Sequence, residues 1–312
     1  MGVIFLCFGF TFLEAKTLKF NQALSHLIMA DMYLSLNQLD EAINEYKKTL
    51  EYDFSSSVLH QKLASVYIRK GAFDLAIGEL KLALKYNPKG LDAHYLLTMV
   101  YLLQNKYDLA KENFENFLKT AIELNPNELL LYHNLGEFYF QQNRLKEAED
   151  IYRFILKNSK DDRKAHLMLA EIYIKEKKIN EAIIEYKEIL KLNPDDHVAL
   201  NALGYLYAEN GINLDEAEIL IKKALEFEPN NGAYLDSLGW VYYQRNQIDL
   251  AIKKLKEASE LLEDPVIYEH LGDAYFKNGQ KDEAKEAWKK ALKLDPNNLD
   301  LKNKLEKLNS LK

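Results

Sequence analysis

The hydrophobic positions of this chain recur at helical spacing in segments of about twelve residues, and short polar turns separate the segments. Two segments and a turn form a repeat of about 34 residues. Every repeat contains a small residue, a tyrosine three positions later and an alanine nine or ten positions after the tyrosine, as in Ala30, Tyr33 and Ala42. Eight repeats fit this pattern, and they start near residues 23, 57, 91, 129, 163, 197, 232 and 265. The pattern predicts an all-α chain built from helix–turn–helix repeats.

The spacing that recurs from repeat to repeat indicates how the two helices of each repeat pack. Small residues at positions 8 and 20 allow the helices to approach closely, and a large apolar residue at position 24 follows them. Proline suits a junction or a first helical turn and not a helix interior. All six prolines lie between repeats: Pro88, Pro126, Pro194, Pro229, Pro265 and Pro296. The third repeat has four additional residues before Pro126, close to one helical turn, so we expect its second helix to be longer.

This pattern resembles the tetratricopeptide repeat family, and the resemblance covers residues 23–296. It implies a right-handed superhelical solenoid of about eight helix–turn–helix units. No single repeat buries its own apolar stripe, so stacking against neighbouring repeats stabilises such a fold. Residues 297–312 carry leucines among lysines and asparagines and resemble the polar helix that caps the last repeat. Residues 1–22 are a separate segment, either a signal peptide or an N-terminal cap.

Composition and charge argue against several classes of function for this chain. The net charge of −7 argues against nucleic-acid binding, which requires a basic face. The sequence has no glycine-rich phosphate loop and no catalytic or zinc-binding motif, so we expect neither an enzyme nor a cofactor. His26, His60 and His94 are each 34 residues apart, which places stacked copies about 10 Å from one another. That distance is too long for a shared metal, so we expect these histidines to have a packing role.

The N-terminal segment carries the evidence on localisation. Residues 2–13 are uncharged and almost wholly apolar, too short to span a bilayer but suited to the core of a signal peptide. No Lys or Arg precedes the run, and the alternative is an N-terminal helix in a cytoplasmic protein. We expect a periplasmic or cell-envelope location. The first repeat also has an unusually apolar first helix, which residues 16–22, a second copy of the chain or upstream repeats would have to cover.

In the tetratricopeptide family, positions 2, 5, 9, 12 and 13 of the first helix line a concave groove. The resemblance therefore implies a partner-binding groove, and its candidate residues are Phe140, Ile174, Tyr205, Asp236, Trp240, Tyr243, Glu269, Asp273 and Phe276. Apolar side chains among acids suit a partner segment that is apolar and basic. The alternative is that some of these rings pack between repeats. We expect Trp240 and Tyr243 to be open, because neighbouring Tyr242 already occupies the core position.

The stretch from residue 198 to residue 296 matches the family pattern best, and it resembles the C-terminal part of bacterial tetratricopeptide proteins that are exported or lipid-anchored. This resemblance implies a scaffold or adaptor that binds a protein or peptide in the cell envelope. Membrane association would come only through the N-terminal segment, and self-association would use the first repeat. The alternatives are a cytoplasmic assembly or regulatory protein and a regulatory subunit of an enzyme.

Overall fold

The computed structural model describes the backbone of residues 2–310 and the side chains of residues 17–308. Within those limits the chain consists of seventeen α-helices joined by short turns, without a β-strand. The chain divides into two compact blocks, an N-terminal block (Met1–Phe138) and a C-terminal block (Tyr139–Lys312). The predicted all-α repeat architecture is confirmed in each block.

The helices alternate between the first and second helix of a repeat, called here the A and B helices. The N-terminal block contains α1 (Gly2–Ser35), α2 (Leu39–Tyr52), α3 (Ser57–Arg69), α4 (Phe73–Tyr86), α5 (Leu91–Leu103), α6 (Tyr107–Leu124) and most of α7 (Leu129–Gln141). The C-terminal block continues with α8 (Leu145–Asn158), α9 (Arg163–Lys175), α10 (Ile179–Leu192), α11 (His197–Glu209), α12 (Leu214–Phe227), α13 (Gly232–Gln244), α14 (Ile248–Leu261), α15 (Pro265–Lys277), α16 (Lys281–Leu294) and α17 (Leu299–Ser310). From α3 to α15, each A helix begins at the residue where the sequence pattern starts a repeat. Helix α6 has 18 residues where α4 has 14, so the additional residues of the third repeat do lengthen its second helix.

The close approach of A and B helices depends on the small residues at positions 8 and 20. The alanines at position 20 are buried in all eight repeats. In the last three repeats position 8 is glycine, because the side chain at position 24 of the B helix occupies the space that a Cβ atom would need. A Cβ on Gly204 would lie 2.5 Å from Cγ1 of Ile221, and one on Gly239 would lie 2.7 Å from Cγ of Leu255.

The turn between the A and B helices passes through a left-handed residue in every repeat, and the longer turn of the sixth repeat has a second one at Asn213, with a φ of 45°. Position 15 has a positive φ in every repeat, and the residue is Asn37, Gly71, Asn105, Asn143, Lys177, Gly211, Asn246 or Gly279. Glycine and asparagine tolerate this left-handed conformation best, since other residues place Cβ too near the following carbonyl. Lys177 is the exception.

The histidines at position 4 connect the two helices of a repeat. His60 Nδ1 lies 2.6 Å from Glu79 Oε2 on the B helix, and its Nε2–H donates to the carbonyl oxygen of Phe54 at 3.0 Å. His166 repeats this arrangement with Glu185. His60 and His166 therefore each join the A helix of their repeat to its B helix. Across the described residues, no group of three or more His, Cys, Asp or Glu side chains is placed to hold a metal ion.

The two ends of the repeat array differ. Leu301 and Leu308 of α17 are buried in a cluster with Trp288 of α16, so α17 covers the last repeat. At the other end α1 is one continuous helix that includes residues 2–22. Residues 18–22 continue along its axis and are exposed. The expectation that residues 16–22 cover the first repeat stays a prediction. The proposed signal segment falls largely on residues whose side chains lie outside the described part of the chain, and it stays a prediction.

A candidate protein-binding groove

The predicted groove residues lie on consecutive A helices of the C-terminal block. Ile174 on α9 and Phe276 on α15 are the most open, at 37% and 41% exposed. Phe140, at the end of α7, is half-buried, and the ammonium group of Lys175 lies 4.3 Å from the centre of its ring. Large apolar side chains therefore reach the surface at both ends of this series.

Aromatic rings in the middle of the series form a continuous stack. The ring of Trp240 lies parallel to that of Tyr243, with centroids 4.6 Å apart, and its other face stacks on His270 at 4.0 Å. The ammonium group of Lys277 lies 4.3 Å above the outer face of Tyr243. The ring of Tyr205 is tilted against that of His270, with the two centroids 6.4 Å apart. The stack joins the A helices of the sixth, seventh and eighth repeats.

The expectation that Trp240 and Tyr243 are open anchors needs correction. Both rings are half-buried, both faces of Trp240 are covered, and Tyr243 has Trp240 on one face and the ammonium group of Lys277 near the other. The indole Nε1–H of Trp240 is buried and has no hydrogen-bond partner within the described residues. Sequence reasoning compared Trp240 with neighbouring Tyr242 but missed His270, which comes from the next repeat. Because His270 is not at one of the family's usual groove positions, the sequence pattern did not indicate that it would cover Trp240. A role for these rings in partner binding stays a prediction.

Asp236 is also less available than predicted. Its carboxylate is buried and accepts a hydrogen bond of 2.9 Å from Nδ1–H of His270. Burial lowers the pKa of His270, but the charge of Asp236 and this hydrogen bond outweigh it, so the pKa is raised. Asp236 therefore holds His270 against Trp240 instead of standing free for a basic partner.

Glu269 and Asp273 face the capping helix α17. Lys304 of α17 donates to Glu269 Oε1 at 2.7 Å and to Asp273 Oδ2 at 2.9 Å. Asp273 Oδ1 also accepts a hydrogen bond from Nε1–H of Trp288 at 2.9 Å. Burial raises the pKa of Asp273, and Lys304 offsets part of that increase. The predicted acidic character of the groove is thus partly neutralised by Lys304, which sequence reasoning did not place there.

An open pocket of about 270 Å³ lies beside the stack, between α11, α13 and the start of α15. Tyr205, Asp236 and Asp264 line it together with Asn201, whose side-chain oxygen is buried without a hydrogen-bond partner in the described chain. Burial and the nearby charges of Glu209 and Asp236 raise the pKa of the Tyr205 hydroxyl. The carboxylate of Asp264 and the side-chain oxygen of Asn201 suit the pocket to a cationic or hydrogen-bond-donating group.

The N-terminal block has an apolar cleft of about 340 Å³ at the groove positions of the third repeat. Tyr95, Met99 and Leu102 of α5 form one wall and are all at least 40% exposed. Phe114 of α6 and Phe138 of α7 form the other, with their ring centroids 5.6 Å apart. The sequence analysis missed this cleft because it confined the groove to the later repeats. The signal was present, since Tyr95, Met99 and Leu102 occupy positions 5, 9 and 12.

Solved structures with the same fold come from distant proteins. A thermophilic tetratricopeptide protein of Thermus thermophilus is 24% identical, with a TM-score of 0.51 over 58% of this chain and 98% of its own. A tetratricopeptide repeat protein of Parabacteroides merdae is 15% identical, with a TM-score of 0.50 over 92% of this chain and 99% of its own. A chain of the Cut9–Hcn1 hetero-tetramer of the APC/C is 18% identical, with a TM-score of 0.56 over 92% of this chain and 69% of its own. These similarities show the fold alone.

One curated protein, the O-mannosyl-transferase F38B6.6 of Caenorhabditis elegans, is 50% identical over 42 residues, which are 14% of this chain and 6% of that protein. Family models described as tetratricopeptide repeat match residues 23–56, 62–112, 163–196, 185–219 and 265–298. A model described as YpiA-like, tetratricopeptide repeats, matches residues 111–160. Together these matches cover most of the chain between residues 23 and 298, and the chain belongs to the tetratricopeptide repeat family.

Proposed function

We propose that this chain is a non-catalytic adaptor that binds a segment of a partner protein along the groove positions of its A helices. The observation that carries the proposal is the exposure of large apolar side chains at those positions. Tyr95 and Met99 in the N-terminal block, and Ile174 and Phe276 in the C-terminal block, are all more than a third exposed. Concentrations of exposed apolar side chains on a folded protein are typical of interaction sites.

The chemistry of the groove supports a partner segment that combines apolar and basic side chains. The cleft beside Tyr95 offers almost only apolar surface, which suits an aromatic or aliphatic anchor. The pocket beside Tyr205 offers the carboxylate of Asp264 and the side-chain oxygen of Asn201, which has no hydrogen-bond partner within the described residues, and both suit a lysine or arginine. The cleft therefore selects an apolar side chain of the partner and the pocket selects a basic one, and neither requires a cofactor.

A defined peptide set tests this proposal. Ten-residue fluorescent peptides with two aromatic residues and three arginines should bind more tightly than peptides in which glutamate replaces each arginine, and fluorescence anisotropy measures both. The variant Ile174→Ala/Phe276→Ala should weaken binding about tenfold, since truncating two anchors costs over 1 kcal/mol. The variant Ile184→Ala/Phe154→Ala is the matched control, because it removes comparably exposed side chains from B helices α10 and α8.

Equal affinity for basic and acidic peptides would refute the charge preference. An equal loss in the groove variant and its control would refute the groove itself. The variant Met99→Ala distinguishes binding in the N-terminal block from binding in the C-terminal block, since it should weaken the affinity only of peptides that use the N-terminal cleft.

The cell-envelope location is part of the same proposal and rests on the apolar segment at residues 2–13. Membrane attachment would come through residues 1–22, and self-association through the first repeat. Among the helices of the described chain, none is long and apolar enough to span a bilayer. Mass spectrometry of the protein from its native cell tests the location: loss of about fifteen N-terminal residues supports export, and an intact N-terminus supports the cytoplasmic alternative.

A further inference from the structure

Asp31, at groove position 9 of the first repeat, shows how the chain neutralises an acid on its A helices. Its carboxylate accepts a hydrogen bond from the hydroxyl of Tyr46, at position 24 of the same repeat. Nζ of Lys62, at position 6 of the next A helix, donates to Oδ1 of Asp31 at 2.8 Å and to Oδ2 at 3.0 Å. One aromatic donor and one lysine therefore satisfy this carboxylate.

The eighth repeat uses the same three positions. Asp273, at position 9, accepts a hydrogen bond of 2.9 Å from Nε1–H of Trp288, at position 24. Nζ of Lys304, the sixth residue of the following helix α17, donates to Asp273 at 2.9 Å. The arrangement occurs independently in each block, so position 6 of a following helix is the place from which an ammonium group reaches the carboxylate at position 9.

The fifth repeat has the carboxylate but not the lysine. Glu171 occupies position 9, and Tyr186 occupies position 24. The two groups are neighbours, since burial and the charge of Glu171 raise the pKa of Tyr186 to about 12. Position 6 of the next A helix is Ala202, whose side chain ends at Cβ and carries no charge. Among the described residues no hydrogen bond or ion pair engages the carboxylate of Glu171.

The environment of Glu171 favours an additional cation. Its side chain is half-buried, and burial raises its pKa, while the charge of Lys175, one turn along α9, offsets part of that increase. The ammonium group of Lys175 lies 4.3 Å from the centre of the Phe140 ring instead of against the carboxylate. Ile174, three residues after Glu171, is 37% exposed. An acid that lacks a counter-charge and an open apolar side chain therefore share one face of α9.

We propose that the carboxylate of Glu171 binds a lysine or arginine side chain of the partner segment, in the place that Lys62 and Lys304 occupy at their own carboxylates. The proposal rests on the proposed function, because the partner segment must lie along the groove. Ile174 contacts an apolar residue of the same segment. The fifth repeat thus selects a basic residue that lies close to an apolar one.

Fluorescence anisotropy with the full chain tests this site. The probe is the ten-residue peptide with two aromatic residues and three arginines, and the comparison peptide carries citrulline, a neutral isostere, in place of each arginine. Glu171→Gln should weaken binding of the arginine peptide about tenfold, because a hydrogen bond between charged groups is lost, and should leave binding of the citrulline peptide unchanged. Glu226→Gln is the matched control, since it removes an exposed carboxylate from B helix α12, and it should bind like wild type.

The variant Ala202→Lys supplies the cation from the chain itself. It should also weaken binding of the arginine peptide about tenfold, because the new ammonium group reaches Glu171 as Lys62 reaches Asp31. In a Glu171→Gln background the same substitution should cause little further loss. Circular dichroism checks that each variant is folded. Fully additive losses would overturn the proposal, since they would show that residues 171 and 202 do not serve one cation site.

The peptide data also separate this site from the groove as a whole. If the arginine peptide binds and Glu171→Gln leaves its affinity unchanged, the site is refuted and the proposed function stands. If no peptide binds to any variant or to wild type, the proposed function is refuted, and the site with it.

Discussion

Gly272→Ala is expected to destabilise the last repeats although alanine is the better helix former. Gly272 lies in α15 opposite Trp288 of α16, and an added Cβ atom would lie 2.5 Å from Nε1 of the indole. Trp288 is held in place, since it is buried and its Nε1–H donates to Asp273. The added methyl group must therefore displace the helix or the indole.

Three effects set the magnitude. Alanine in place of glycine favours a helix interior by about 1 kcal/mol. Overpacking a filled core costs about 1–3 kcal/mol, and shifting the indole away from Asp273 loses a hydrogen bond to a charged group, about 1.5–3 kcal/mol. The unfavourable effects are larger, so we expect a net loss of about 2 kcal/mol. Gly78→Ala on α4 is the matched control, because a Cβ there meets no atom within 4 Å, and it should gain about 1 kcal/mol.

Urea unfolding followed by two signals measures both changes. The chain has two tryptophans, Trp240 and Trp288, so fluorescence reports the seventh and eighth repeats while circular dichroism reports all helices. Gly272→Ala should lower the urea concentration at the midpoint of the fluorescence transition. Gly78→Ala should leave that midpoint unchanged and raise the midpoint of the circular dichroism transition. A raised fluorescence midpoint for Gly272→Ala would refute the reasoning, since it would show that Trp288 leaves room for a methyl group.

Three other predictions concern paired charges and a turn. Asp236 raises the pKa of His270 despite burial, so the pair stabilises the fold fully below about pH 6.5, and this stabilisation is lost as the pH rises through the folded-state pKa. His270→Gln should therefore lower the free energy of unfolding in urea more at pH 6 than at pH 8.5. Equal losses at the two pH values would contradict this. Lys177→Gly should raise the thermal midpoint by relieving a positive φ of 59°, worth about 1 kcal/mol; an unchanged midpoint would count against strain there. Lys304→Met removes the counter-charge of Glu269 and should speed amide hydrogen exchange in α17; unchanged exchange would show that leucine packing alone holds the helix.

The repeat architecture could be predicted in detail because its determinants are local. Position 15, where the backbone has a positive φ in every repeat, is asparagine or glycine apart from Lys177. Position 20 reads alanine where the helices touch, as at Ala42 and Ala284. These requirements repeat within about 34 residues, so sequence periodicity alone located the starts of the A helices from α3 to α15.

The state of the groove depended on contacts that periodicity does not contain. His270 meets Asp236 across 34 residues of sequence, and Lys304 reaches Glu269 and Asp273 from the capping helix, 35 and 31 residues away. A repeat pattern assigns each residue to a face of its helix, but it does not say which side chain of the next repeat lies against it. The sequence by itself therefore determined the fold, the repeat boundaries and the turns. Only the tertiary structure decided that Trp240 is covered on both faces and that Asp236 is buried against His270, because burial and charge pairing are set by neighbours from other repeats.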